Sequence, residues 1–189
     1  MEKPKLDYMA IQSPPDVWEK ILELNPINPD EVFMEPFAGE NSLYDQVQTN
    51  KDKEWCEITK GRDIFNYDFD NSDVTCIYTN SPFKCDIPNK KGIKSYKNCI
   101  FYFLNLFMTR LKHLKTIGFL MSSKCFYSLT PNRLNKLSNL GFTISNITVL
   151  STNYWFGLYY FVKWEKNATN KFVHIIPKTF LQKVFTFDK

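Results

Sequence analysis

Three short stretches of this chain carry side chains able to do chemistry, and they follow one another at regular intervals. The first is Glu35-Pro36-Phe37-Ala38-Gly39-Glu40-Asn41-Ser42, a carboxylate followed by a turn. Gly39 has no Cβ, so the backbone there can approach a ligand closely. The second is Glu57, 18 positions beyond Gly39. A carboxylate at the end of a strand next to such a turn can accept hydrogen bonds from both hydroxyls of a ribose. The third is Asn80-Ser81-Pro82-Phe83, an amide, a hydroxyl and an aromatic ring around a proline.

These groups need elements to hold them. The pattern predicts a helix over 16–24, with Val17, Ile21, Leu22 and Leu24 at near-helical spacing. Strands are predicted over 31–34, 54–58 and 74–79, and a helix over 42–47. Residues 84–96 read as a polar loop and 97–114 as a long helix with an apolar stripe of Ile100, Phe103, Leu104, Phe107, Leu111 and Leu114. A buried strand follows at 116–121. Thr130 and Pro131 open a further helix that Gly141 closes. Residues 142–150 and 155–164 read as a β-hairpin, and the tail beyond Lys171 holds one more strand and a polar end. Strands alternating with helices predict an α/β fold, a single doubly wound, mostly parallel sheet with an antiparallel hairpin at one edge. In such sheets ligands bind beyond the carboxyl ends of the strands, where all three stretches fall.

The bulk composition agrees. At 189 residues one domain over 1–189 is expected. A composition 43% hydrophobic and 23% charged excludes a disordered chain. No apolar run is long enough to span a bilayer and no signal peptide is legible, so the expected location is intracellular, in the cytoplasm. The five cysteines form no C-x-x-C pair and the two histidines, His113 and His174, lie far apart, which leaves no metal site and predicts reduced, mostly buried thiols. The abundance of Lys and Asn points to an A/T-rich genome, such as a virus-encoded gene would have.

On these residues the sequence resembles class I S-adenosylmethionine-dependent methyltransferases, and among them the N6-adenine DNA methyltransferases, whose turn reads acidic-Pro-Phe-Ala-Gly-x-Gly and whose second motif reads Asn-Pro-Pro-Tyr/Phe. The resemblance runs over residues 7–164, with 8–15 similar to the family's entry segment. It implies a Rossmann-like methyltransferase fold and S-adenosyl-L-methionine as cofactor. It implies cofactor contacts from Glu35, Phe37, Gly39, Glu57 and Asp63, the last to the adenine ring. Asn80, Ser81, Pro82 and Phe83 would form the catalytic motif. The Asn80 side-chain oxygen and the Ser81 carbonyl would each accept a hydrogen of the reacting amine, and Phe83 would stack on a flipped base.

Two positions depart from the family pattern. Asn41 stands where a second Gly is usual, and Asn tolerates left-handed backbone angles. Ser81 stands where the first Pro is usual, and Pro82 still biases it towards an extended conformation.

Lys84, Lys90, Lys91, Lys94 and Lys97 against Asp86 alone make the segment after Phe83 the candidate for phosphate contact. Trp155 and Phe156 would wall the base pocket or fill the core. The implied partner is nucleic acid, DNA ahead of RNA, with no membrane. After Trp164 there is no room for a separate target-recognition domain, so target reading would fall to loops or to a partner subunit. Alternatives are an RNA or protein-glutamine methyltransferase of the same fold, and a catalytically silent partner subunit.

Overall fold

The computed structural model describes residues 13–82, 84–88, 94–152, 157–169 and 172–176, with the backbone alone for 84–88, 94–98 and 172. Among these residues seven strands share one sheet. They are β1 (Phe33–Glu35), β2 (Lys53–Trp55), β3 (Cys76–Thr79), β6 (Thr116–Ser122), β7 (Phe142–Ser151), β8 (Leu158–Lys166) and β9 (Phe172–Ile176). Between β3 and β6 in the chain, β4 (Lys84–Pro88) and β5 (Lys94–Asn98) pair antiparallel as a ribbon of their own. The main sheet runs in the order β2-β1-β3-β6-β8-β7-β9. β2, β1, β3 and β6 are mutually parallel, β8 is antiparallel to both neighbours, and β9 adds outside β7 in parallel. This is the predicted α/β sheet with its antiparallel hairpin.

Helices cover both faces. α1 (Pro15–Leu24) buries Val17, Trp18 and Ile21 against Phe33, Tyr78 and Phe161 on one face. On the other, α2 (Ile100–Arg110) buries Phe103, Leu104 and Phe107, and α4 (Pro131–Asn139) buries Leu137. Each such side chain contributes about 1.5–3 kcal/mol on leaving water. Gly118 in β6 is required by packing. A Cβ there would lie 2.3 Å from the Phe161 ring and 2.7 Å from that of Tyr78, and those rings meet edge to face at 4.9 Å. Among the described residues no helix is long and apolar enough to cross a membrane.

Several expectations need correction. Residues 42–46 form turns rather than a helix, because competing donors take their carbonyls. Lys53 Nζ donates to the carbonyls of Tyr44 (2.6 Å) and Val47 (3.0 Å), and the Gln46 side chain takes that of Ser42 (2.7 Å). The expected polar loop at 84–96 is the β4–β5 ribbon, and it shortens the following helix, which starts only at Ile100. A short helix, α3 (Ser123–Tyr127), was not predicted, and Thr130 precedes α4 without a side-chain cap. Cys99 is disulfide-bonded, whereas Cys56, Cys76 and Cys125 are free and buried.

Candidate active site

β1 lies between β2 and β3, so the chain crosses to opposite sides of the same strand and leaves a crevice at their carboxyl ends. Backbone bonds continue past β1 and β2. Cys56 N–H donates to the Glu35 carbonyl (3.0 Å) and Ala38 N–H to that of Cys56 (2.9 Å). That extension brings Glu57 against the turn, where Gly39 N–H donates to Glu57 Oε2 at 2.9 Å. The other oxygen, Oε1, accepts the Thr59 N–H (3.0 Å) and hydroxyl (2.7 Å). Burial pushes the Glu57 carboxyl up, and the bonds from Thr59 and Gly39 outweigh it, so the group sits below its ordinary range and stays ionised at neutral pH.

The turn itself takes the backbone its sequence suggests. Gly39 has φ 51° and Asn41 φ 69°, the left-handed region expected of an asparagine standing for glycine. Asn41 N–H closes on the Ala38 carbonyl at 2.7 Å. Phe37 packs edge to face on Phe103 of α2 at 4.7 Å and so anchors the turn to the core. Asp63 caps the 3-10 turn Ile64–Asn66 by accepting Phe65 N–H through Oδ1 at 3.0 Å. The backbone pairing of Glu57 with Arg62 places this capped turn directly after Glu57, and Arg62 lies over the Trp55 ring at 4.2 Å.

Glu35 ends β1 and is 3% exposed, with Oε2 lacking a hydrogen-bond partner. Burial drives its carboxyl well above the usual range, against a hydrogen bond from the Tyr44 backbone. The folded state therefore binds a proton that the unfolded chain releases at lower pH. The stability of this form is complete below the unfolded carboxylate range and is lost as pH rises through the folded value. Glu35→Gln, which keeps the shape without the charge, should be more stable than the parent at pH 8, with the difference closing as pH falls. Thermal melts at stepped pH check it, and a constant difference across pH overturns it.

At the end of β3, Asn80 donates through Nδ2 to Ser13 Oγ at 2.9 Å. Ser81 and Thr79 are buried, and the hydroxyl of each lacks a partner. Pro82 is exposed. Lys84 opens β4, and Lys94 and Lys97 lie in β5, so these three lysines sit on the β4–β5 ribbon that follows Asn80 in the chain. Phe83, Lys90, Lys91, Trp155 and Phe156 lie outside the described residues. The structure thus brings Glu35, Gly39, Glu57, Asp63 and Asn80 to the carboxyl ends of the neighbouring strands β2, β1 and β3. It adds Ser13 and Thr59, which sequence reasoning missed. Thr59 had a local signal in its spacing from Glu57, whereas Ser13 is 67 positions from Asn80. A cavity of about 440 Å³ lined by Leu24, Ser145, Lys163 and Glu165 lies at the other end of the strands and takes no part in this arrangement.

No family model matches the sequence, and no curated protein matches it. Solved structures match the fold. A protein from Listeria monocytogenes assigned to the class I S-adenosylmethionine-dependent methyltransferases superposes with a TM-score of 0.57 at 11% identity, over 85% of this chain and 63% of that one. Precorrin-6y C5,15-methyltransferase from Geobacter metallireducens gives 0.54 at 12% identity, over 84% and 92%. The EcoKI M protein, of a type I restriction enzyme, gives 0.51 at 14% identity, over 87% and 46%. This chain therefore has the Rossmann-like fold of these methyltransferases, and it spans less than two thirds of the Listeria chain.

Proposed function

We propose that this chain is an S-adenosylmethionine-dependent methyltransferase acting on an exocyclic amine of a nucleic-acid base, N6 of adenine in DNA first. The observation that carries the reading is the ionised Glu57 carboxylate closed onto the Gly39 turn beside β1, with Asn80 at the carboxyl end of the next strand. The groups present fit the cofactor. Glu57 keeps one acceptor site, on Oε2, for a ribose hydroxyl, and Glu35 Oε2 and Asn41 Oδ1 are buried polar atoms without partners beside the turn. Asp63 has one oxygen engaged in capping, and in this reading its other oxygen accepts from an amine of the adenine ring.

Bound there, S-adenosylmethionine supplies a methyl group on a sulfonium, open to direct displacement. The chain's task is to hold the acceptor in line and to relieve the positive charge that develops on nitrogen. Asn80 accepts one amine hydrogen through its side-chain oxygen, and the Ser81 carbonyl accepts the other. Phe83 stacks on the base. We read residues 1–189 as one catalytic domain inside the cell, with target selection left to the ribbon or to a partner subunit.

The test is incubation with tritiated cofactor and separate pools of DNA, RNA and protein, followed by nucleoside analysis. Label in N6-methyladenine of DNA supports the proposal, and label in RNA or in glutamine moves it to that substrate. Cofactor binding by calorimetry without transfer to any pool overturns it in favour of a silent subunit.

The ribbon gives a second expected outcome. Lysines that touch phosphate release counterions, so log affinity falls with log salt by about 0.9 per neutralised phosphate on duplex DNA. Replacing Lys94 and Lys97 with alanine should flatten that slope by about this amount for each phosphate no longer neutralised. An unchanged slope in a fluorescence titration removes them from the interface.

A further inference from the structure

We infer that Ser13 is a positioning residue for Asn80, an inference that rests on the methyl-transfer reading above. Asn80 follows the last residue of β3, beyond the strand pairs that hold Cys76 to Thr79 against β6. Ser13 Oγ anchors its side chain from elsewhere in the fold by accepting the Nδ2 hydrogen at 2.9 Å. Ser13 is 4% exposed, so water does not compete freely for this bond.

The anchor is itself held. Ser42 Oγ donates to the Ser13 carbonyl at 2.9 Å, and Gln46 Nε2 donates to the Pro15 carbonyl at 2.9 Å. Both donors belong to the turns that follow Gly39. Segment 13–15 therefore ties the turn after β1 to the amide after β3 and spans the crevice between the two strands. α1 starts at Pro15 and buries Trp18 and Ile21, which fixes the segment to the core.

The chemistry follows from the amide's planarity. Its nitrogen and oxygen point in different directions, and an Asn held at its nitrogen presents its oxygen away from the holder. Catalysis requires the oxygen to meet the amine hydrogen as nitrogen becomes cationic. A displacement of about 1 Å at such a contact can cost on the order of 10²-fold in rate. Ser13 touches none of the reacting atoms in this scheme. It acts through Asn80.

The experiment uses the full chain with Ser13→Ala, Ser13→Thr and Asn80→Ala. Ser13→Ala should lower turnover at saturating cofactor by about 10-fold or more. Its cofactor Kd should stay within about twofold, and Ser13→Thr should restore the rate because it keeps the hydroxyl. Unchanged turnover in Ser13→Ala while Asn80→Ala is impaired overturns the inference and leaves the methyltransferase reading standing. A raised cofactor Kd with full turnover at saturation also overturns it, since Ser13 would then be a cofactor contact. The ¹⁵N side-chain amide signals of Asn80 provide a readout independent of activity. They should shift and exchange faster in Ser13→Ala than in the parent, and identical signals overturn the inference even if no pool is methylated.

Discussion

Asn80→Ala should lower single-turnover methylation by about 10²-fold or more, with cofactor affinity within a few fold of the parent. An exocyclic amine of a base is a weak nucleophile because its lone pair is conjugated into the ring. As the methyl group arrives, the nitrogen gains positive charge and its hydrogens become better donors. A hydrogen bond to the Asn80 oxygen is therefore stronger in the transition state than in the ground state, and such a bond acts on turnover. One preorganised bond of this kind is worth roughly 3 kcal/mol, which is about 10²-fold. The Gly39–Glu57 contact lies across β1 from Asn80, so the deletion leaves it intact. Phe83→Ala should differ in kind by raising the Michaelis constant for nucleic acid, because stacking holds the base before and during reaction. Phe83→Tyr should keep activity. Single-turnover methylation beside a cofactor titration separates these outcomes. A parental rate in Asn80→Ala removes this motif from the chemistry.

The parts of this site legible in the sequence are those that local patterns specify. Glu35 closes, and Asn80 follows, short runs that become β1 and β3 and are buried throughout, and such a run with a turn after it marks a strand's carboxyl end. Asn41 was legible because its residue type tolerates the backbone angle that the turn demands. What escaped depends on partners far away in the chain. The turns at 42–46 have a helical composition, but the Lys53 ammonium takes the carbonyls a helix would need. The β4–β5 ribbon carries Lys84, Asp86, Pro88, Lys94, Lys97 and Asn98, residue types that disfavour strands, and its cross-strand pairing from Lys84–Asn98 to Pro88–Lys94 leaves no period in the sequence. The Asn80–Ser13 bond joins residues 67 positions apart, and no local pattern encodes it.

Glu57→Ala should weaken S-adenosylmethionine binding by about 1–3 kcal/mol, roughly 5- to 150-fold, the cost of leaving a ribose hydroxyl without its acceptor. The same carboxylate also closes the turn, so two effects must be told apart. Oε2 holds Gly39 N–H, and Oε1 holds both Thr59 groups. Thr59→Val removes only the hydroxyl bond and leaves the carboxylate on Gly39. If Glu57 acts on the ligand, Thr59→Val should bind cofactor nearly as well as the parent, and Glu57→Ala should not.

The pH dependence offers an independent check on Glu57. Burial raises its carboxyl, but the bonds from Thr59 and Gly39 hold it below the ordinary range. The sign is that of a depressed acid. Its contribution is present above the unfolded carboxylate value of about 4.3 and fades only as pH falls through the lower folded value. Cofactor affinity in the parent should therefore stay level from pH 8 down to about 5 so far as Glu57 governs it. Calorimetry across that window measures both the level and the loss in Glu57→Ala. Equal affinities for parent and Glu57→Ala at pH 7.5 would place the ribose elsewhere, and Glu57 would then serve only to hold the Gly39 turn.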